Sequence, residues 1–164
     1  MALTYRRGAI DALSSLVETR LAVLRSANGL DAAAELPEVA AQTRDYYQTA
    51  LADGSHVTFL AFDGSRFVGA GGVSFFRVMP TVHIPTGQKA YIMNMYTHPD
   101  YRRRGIALHI LSLLVETAQA RGVTAISLEA TDMGRPLYER FGFVPMQSEM
   151  MLPEEWFIQP AGQL

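Results

Sequence analysis

Tyr101-Arg102-Arg103-Arg104-Gly105-Ile106-Ala107 stands between an extended run, Ala90 to Thr97, and a helical one, Arg104 to Arg121. A helix start exposes unpaired backbone N–H groups and the positive end of the helix dipole, a combination that binds phosphate. Gly105 lets an anion approach the backbone with no side chain in the way. Arg102, Arg103 and Arg104 concentrate positive charge in a chain whose formal net charge is −2. The stretch therefore suits an anionic ligand such as a pyrophosphate. A solvated basic triplet beside a small packing residue accounts for the same letters.

Working outward, the run after Gly105 has a polar stripe of His109, Ser112, Glu116 and Gln119 and is otherwise largely apolar. That pattern predicts a helix buried around most of its circumference and ended by Gly122. Thr124 to Ala130 reads as a strand, Gly134 to Phe141 as a short helix with Pro136 in its first turn, and Phe143 to Leu152 as one or two closing strands. Upstream, Val78 to Gln88 holds two prolines and a glycine and reads as a loop. His56 to Phe62 and Arg66 to Phe76, joined by Asp63-Gly64-Ser65, predict a hairpin. Helical spacing of Ile10, Leu13, Val17, Leu21 and Leu24 predicts a first helix, and a second opens at Pro37 and stops at Asp53-Gly54. Helices, then antiparallel strands, then strand, helix, strand imply a mixed sheet covered on both faces, with the strands at Ala90 and Thr124 forming a parallel pair.

The 164 residues suit a single domain, 1–164, and 49% are apolar, enough to build a core. The slight acidity gives no global reason to bind nucleic acid or an anionic membrane. With no cysteine, disulfides, thiolate metal sites and a cysteine nucleophile are excluded, and a reducing cytoplasm is the expected compartment. Met1 to Gly8 lacks the apolar stretch of a signal peptide and no run approaches the ~20 apolar residues of a membrane span, so a soluble, unprocessed chain is expected. Histidines 56, 83, 98 and 109 show no metal-ligand spacing and read as surface or packing residues. Gly69-Ala70-Gly71-Gly72 precedes no helix, which removes a dinucleotide fingerprint.

A second stretch, Pro136-Leu137-Tyr138-Glu139-Arg140-Phe141-Gly142-Phe143, places Leu137 and Phe141 one turn apart as core contacts and Gly142 as a helix stop. Tyr138 is either a packed edge residue or an acid. Arg102, Gly105 and Ala107 match an R/Q-x-x-G-x-G/A signature, and a tyrosine helix ending in Phe-Gly-Phe follows one strand later. In that order, from about 90 to 144, the chain resembles the GCN5-related N-acetyltransferase (GNAT) superfamily.

The resemblance implies an α/β (α+β) fold with a mixed, largely antiparallel sheet, a central splayed parallel pair and helices on both faces. It implies acetyl-CoA as co-substrate and no metal. The pyrophosphate falls to Arg102, Arg103, Arg104, Gly105, Ile106 and Ala107, the pantetheine and thioester to Met95, Tyr96 and Thr97, and further cofactor contacts to Thr131 and Gly134. Tyr138 becomes the general acid for the thiolate. Two positions depart from the family. Thr131 stands where an asparagine is frequent, and Ala90 to Thr97 lacks the glutamate that serves many relatives as base, leaving ordered water, a peripheral His, or a Glu such as Glu129. The implied activity is direct transfer of acetyl to an amine of a small-molecule or peptide acceptor, and pairing of two copies through a sheet edge is the family's habit. Arg20, Tyr46, Tyr47, Phe75 and Asn94 are candidates to line the acceptor pocket. A noncatalytic acyl-CoA-binding module is the competing reading, since it keeps the phosphate site and needs no base.

Overall fold

The computed structural model describes residues 3–153. The chain divides after Glu129 into two compact units. The first holds β1 (Leu3–Arg7), α1 (Leu13–Ala27), α2 (Pro37–Ala52), β2 (His56–Asp63), β3 (Arg66–Arg77), β4 (Gln88–Thr97), α3 (Ile106–Ala120) and β5 (Ala125–Leu128). The second holds α4 (Arg135–Phe141).

The five strands form one sheet in the order β1-β2-β3-β4-β5, antiparallel except for the parallel pair β4 and β5. This is the mixed α+β architecture expected. Asp63 pairs with Arg66 across the tight turn, where Gly64 takes φ +61°. Two details differ. Leu3–Arg7 forms an edge strand against β2 that the sequence reading passed over. Phe143 to Leu152 forms no strand, so the parallel pair lies at the edge of the described sheet. Val144, Met146, Met150 and Met151 are exposed, and a strand without a ladder partner has nothing to satisfy its backbone groups.

Strand alternation sorts the core. On one face Leu60 and Ala70 meet Leu16, Val17 and Leu21 of α1 and Tyr47 of α2. On the other lies α3, whose Ile106, Ile110, Leu111 and Leu114 are at most 1% exposed. Each such side chain contributes about 1.5–3 kcal/mol by leaving water. The helix approaches closely because β3 carries glycines beneath it. A methyl at Gly71 would meet Ile110 at 2.5 Å and Met95 at 2.6 Å, and one at Gly69 would meet Ile106 at 2.8 Å. His109, Glu116 and Gln119 face outward, as their stripe predicted. Among the described residues no helix is long and apolar enough to cross a membrane, and no His, Cys, Asp and Glu cluster is fit to hold a metal.

Candidate active site

From Thr97 the chain turns through Pro99–Tyr101 into the arginine stretch. Tyr101 anchors that turn: its ring is 8% exposed, and its hydroxyl donates to Asp63 Oδ2 at 3.0 Å. The guanidiniums of Arg66 and Arg104 lie 5.3 and 4.9 Å from the centre of its ring. Arg103 and Gly105 both adopt left-handed conformations, φ +59° and +80°, which swing the backbone into α3. Gly105 is the N-cap residue and supplies no side-chain cap, and the first turn carries no acidic residue. Its amides therefore have no local carboxylate or hydroxyl to satisfy them. A Cβ at Gly105 would find nothing within 4 Å, so the space beside the helix start is open. Arg102, Arg103 and Arg104 are exposed around it, with Arg102 Nε directed at the Thr97 carbonyl at 3.5 Å. Donors, dipole, charge and room fit a pyrophosphate.

Beside this cradle β4 is interrupted twice. Its parallel ladder with β5 ends at Ile92 opposite Leu128, so Met95, Tyr96 and Thr97 lie beyond the pairing on that side. On the β3 side Gly72 pairs with Met93 and Ala70 with Tyr96, so that the single residue Gly71 faces two, Asn94 and Met95. The extra residue makes a bulge in which Asn94 takes φ +58°, a conformation asparagine tolerates better than most. Arg20 of α1 reaches across to donate from Nη1 to Asn94 Oδ1 at 3.0 Å.

A cavity of about 420 Å³ opens on this face between α1, α2 and β4. Arg20, Tyr46, Tyr47 and Asn94, four of the five acceptor candidates, line it. Phe75 does not. It follows Ser74 on β3, and alternation turns it to the α3 face, where Arg121 stacks 4.2 Å from the centre of its ring. Ser74 takes the cavity side instead, and with it comes a cluster of side chains that residue spacing does not announce. The Tyr46 hydroxyl lies 2.9 Å from His56 Nδ1 and 2.6 Å from Ser74 Oγ, and those two are 3.1 Å apart. His56 is 3% exposed, and its Nε2 has no partner among the described residues. Burial, helped by the positive charge of Arg20, pushes its pKa down to about 4, so the ring is neutral. Burial pushes the Tyr47 phenol up to about 12, opposed by Arg20. Glu38, Val39, Gln42, Thr43 and Met93 complete the lining.

In the second unit Thr131 begins the turn into α4. Its carbonyl accepts from Arg135 N at 2.9 Å and its hydroxyl from Gly134 N at 3.2 Å. The threonine standing in place of asparagine thus serves the local turn. Tyr138 is 8% exposed and burial raises its pKa, so the hydroxyl keeps its proton at neutral pH. It makes no side-chain hydrogen bond among the described residues, and its ring meets Phe143 edge to face at 6.1 Å. Gly134 is small because the ring is close: a Cβ there would lie 3.1 Å from Tyr138 Cε2.

An open, uncapped helix start thus lies beside a bulged strand released from its parallel neighbour, and proteins of known structure share the fold that sets them there. A predicted acetyltransferase from Clostridium acetobutylicum, solved with acetyl-CoA, superposes with a TM-score of 0.84 at 30% identity, covering 93% of this chain and 96% of that one. A model of the Acetyltransferase (GNAT) family matches residues 21–143, and the chain belongs to that family. The uncharacterized N-acetyltransferase YsnE of Bacillus subtilis (strain 168) is 32% identical over 96 residues, 55% of this chain and 58% of YsnE. The human cysteine-rich protein 2-binding protein is 36% identical over 55 residues, 34% of this chain and 7% of that protein. The chain thus spans less than two thirds of either curated relative.

Proposed function

We propose that this chain, acting as one domain, transfers the acetyl group of acetyl-CoA directly to the amine of a small-molecule or peptide acceptor. The observation that carries the reading is the α3 start, where Gly105 at φ +80° leaves uncapped amides beside open space and three exposed arginines. Arg102 to Ala107 hold the pyrophosphate, and Met95, Tyr96 and Thr97, past the end of the β5 ladder, meet the pantetheine and thioester. A backbone N–H near Met95 or Tyr96 stabilises the negative charge that develops on the carbonyl oxygen.

The reaction forms one C–N bond and breaks one C–S bond. The amine attacks as the free base and, once the C–N bond has formed, its nitrogen gives one proton to water, since β4 carries no carboxylate and Glu129 is exposed. The departing thiolate takes a proton from Tyr138, whose raised pKa keeps that proton in place until it is needed. Thr131 and Gly134 form the turn that leads to this tyrosine. The absence of cysteine excludes a cysteine-bound acyl intermediate, which supports direct transfer, and it suits a cytoplasmic setting.

Thiol release from acetyl-CoA, measured over a broad panel of amines with calorimetry of acetyl-CoA alone, tests this reading. Binding with turnover of at least one amine supports it. A folded protein that fails to bind acetyl-CoA refutes it.

A further inference from the structure

Arg20 is half-buried on the cavity wall, and among the described residues no carboxylate stands within ion-pair distance of it. A guanidinium offers five N–H donors. Its one protein hydrogen bond among the described residues goes to Asn94 Oδ1, at 3.0 Å. Taking a cation partly out of water without a counter-charge is costly, and such an arrangement persists where a ligand supplies the charge. Glu38 also lines the cavity, but it is exposed in the first turn of α2, where water screens it. The rest of the wall is neutral, with Tyr46, Tyr47, Met93 and Asn94 among its members, and the field of Arg20 is felt at both Tyr47 and His56. Asn94 presents its amide beside Arg20 and immediately precedes Met95 and Tyr96, the backbone assigned above to the thioester.

Building on the proposed acetyl transfer, we infer that the acceptor is an amine that also carries an anionic oxygen group, a carboxylate or a phosphate, and that Arg20 holds this group in the cavity with Asn94 beside it. Guanidinium geometry matches two oxygens of either anion. A cavity of about 420 Å³ admits a molecule of amino-acid or amino-sugar-phosphate size. The anion is fixed on α1 while the amine, at the other end of the molecule, reaches β4. A neutral amine would leave the Arg20 donors unpaired once water is displaced, which is the kind of mismatch that discriminates strongly.

The test compares matched acceptors in the thiol-release assay: amino acids against their carboxamides, and aminoalkyl phosphates against the corresponding amino alcohols. We expect one anionic series to be preferred on the order of 10²-fold in kcat/KM, and the preferred series tells carboxylate from phosphate. Arg20→Gln should abolish the preference with acetyl-CoA affinity unchanged, and Arg20→Lys should restore part of it. Equal use of charged and neutral acceptors, or a preference that survives Arg20→Gln, overturns the inference while leaving acetyl transfer standing. The subsite is also read without turnover, by NMR titration with N-acetylglycine and aminoethyl phosphate against N-acetylglycinamide. Shifts at Arg20 and Asn94 with an anion alone support it, and their absence with both anions overturns it whether or not acetyl-CoA binds.

Discussion

The imidazole of His56 lies against the α-carbon of Gly72: a methyl group there would sit 2.7 Å from Nε2 and 2.8 Å from Cε1. Gly72 is thus a glycine because a ring from the neighbouring strand occupies the space of its side chain. Gly72→Ala should displace the ring from Tyr46 and Ser74 and destabilise the fold by about 1–3 kcal/mol. His56→Ala opens the same space, so adding Gly72→Ala to it should cost far less than alone. Urea denaturation of the two single variants and the double variant measures the coupling, and additive costs would show that the ring is not what Gly72 accommodates.

The same histidine predicts an acid sensitivity. Its pKa is lowered from 6.5 to about 4 by burial first and by Arg20 second, so the unfolded chain binds the proton more readily than the folded one. The neutral ring's contribution is complete above pH ~6.5 and is lost as pH falls toward 4, with a total loss of about 3 kcal/mol. His56→Gln should start from a lower stability at pH 7.5 yet lose less on going to pH 4.5. Parallel pH dependences in the two proteins would mean that other groups govern the acid limb.

Gly105→Val tests the phosphate cradle. Nothing crowds the position, so the variant should fold, at a strain cost of about 1–2 kcal/mol for a branched residue at φ +80°. Its side chain projects into the open space beside the uncapped amides and should abolish acetyl-CoA binding. Gly105→Asn tolerates the left-handed backbone better and separates strain from obstruction. Unchanged calorimetric affinity in folded Gly105→Val would place the pyrophosphate elsewhere.

For Tyr138, substitution by phenylalanine keeps the ring against Phe143 and Gly134 and removes only the hydroxyl. If that hydroxyl protonates the thiolate, kcat should fall on the order of 10²-fold with acetyl-CoA affinity nearly unchanged. The hydroxyl makes no side-chain hydrogen bond among the described residues, so the melting temperature should barely move. An unaltered rate at saturating acetyl-CoA, with chemistry rate-limiting, removes Tyr138 from the role of acid.

Periodicity carried most of the fold. The buried face of α3, the hairpin of β2 and β3 and the proline that opens α2 are local signals, and the structure agrees with them. Pairing decided the remainder. Leu3–Arg7 is too short to announce itself and becomes a strand through its register with Phe59 to Asp63. Phe143 to Leu152 has strand-like letters and no partner ladder. The acceptor face was legible in residue type but not in phase. Phe75 looked as suitable as Tyr46, and only the registry of β3 shows that Ser74 has its place. His56 could not be told from an ordinary packing histidine, because its neighbours Tyr46 and Ser74 are 10 and 18 residues away.

Met93 and Asn94 are consecutive in β4, yet both line the cavity, while Met95 points to the α3 side against Gly71. An uninterrupted strand would send the first two to opposite faces. The inserted residue therefore acts as a phase shifter: it adds one side chain to the cavity wall and reverses the odd-even order of β4, so that Tyr96 and Thr97 still keep step with Ala70 and Gly69. Deletion of Asn94 would leave that alternation intact, with Met93 and Met95 as ordinary neighbours on opposite faces of the sheet. What would go is the extra position itself, and with it the side chain that accepts from Arg20.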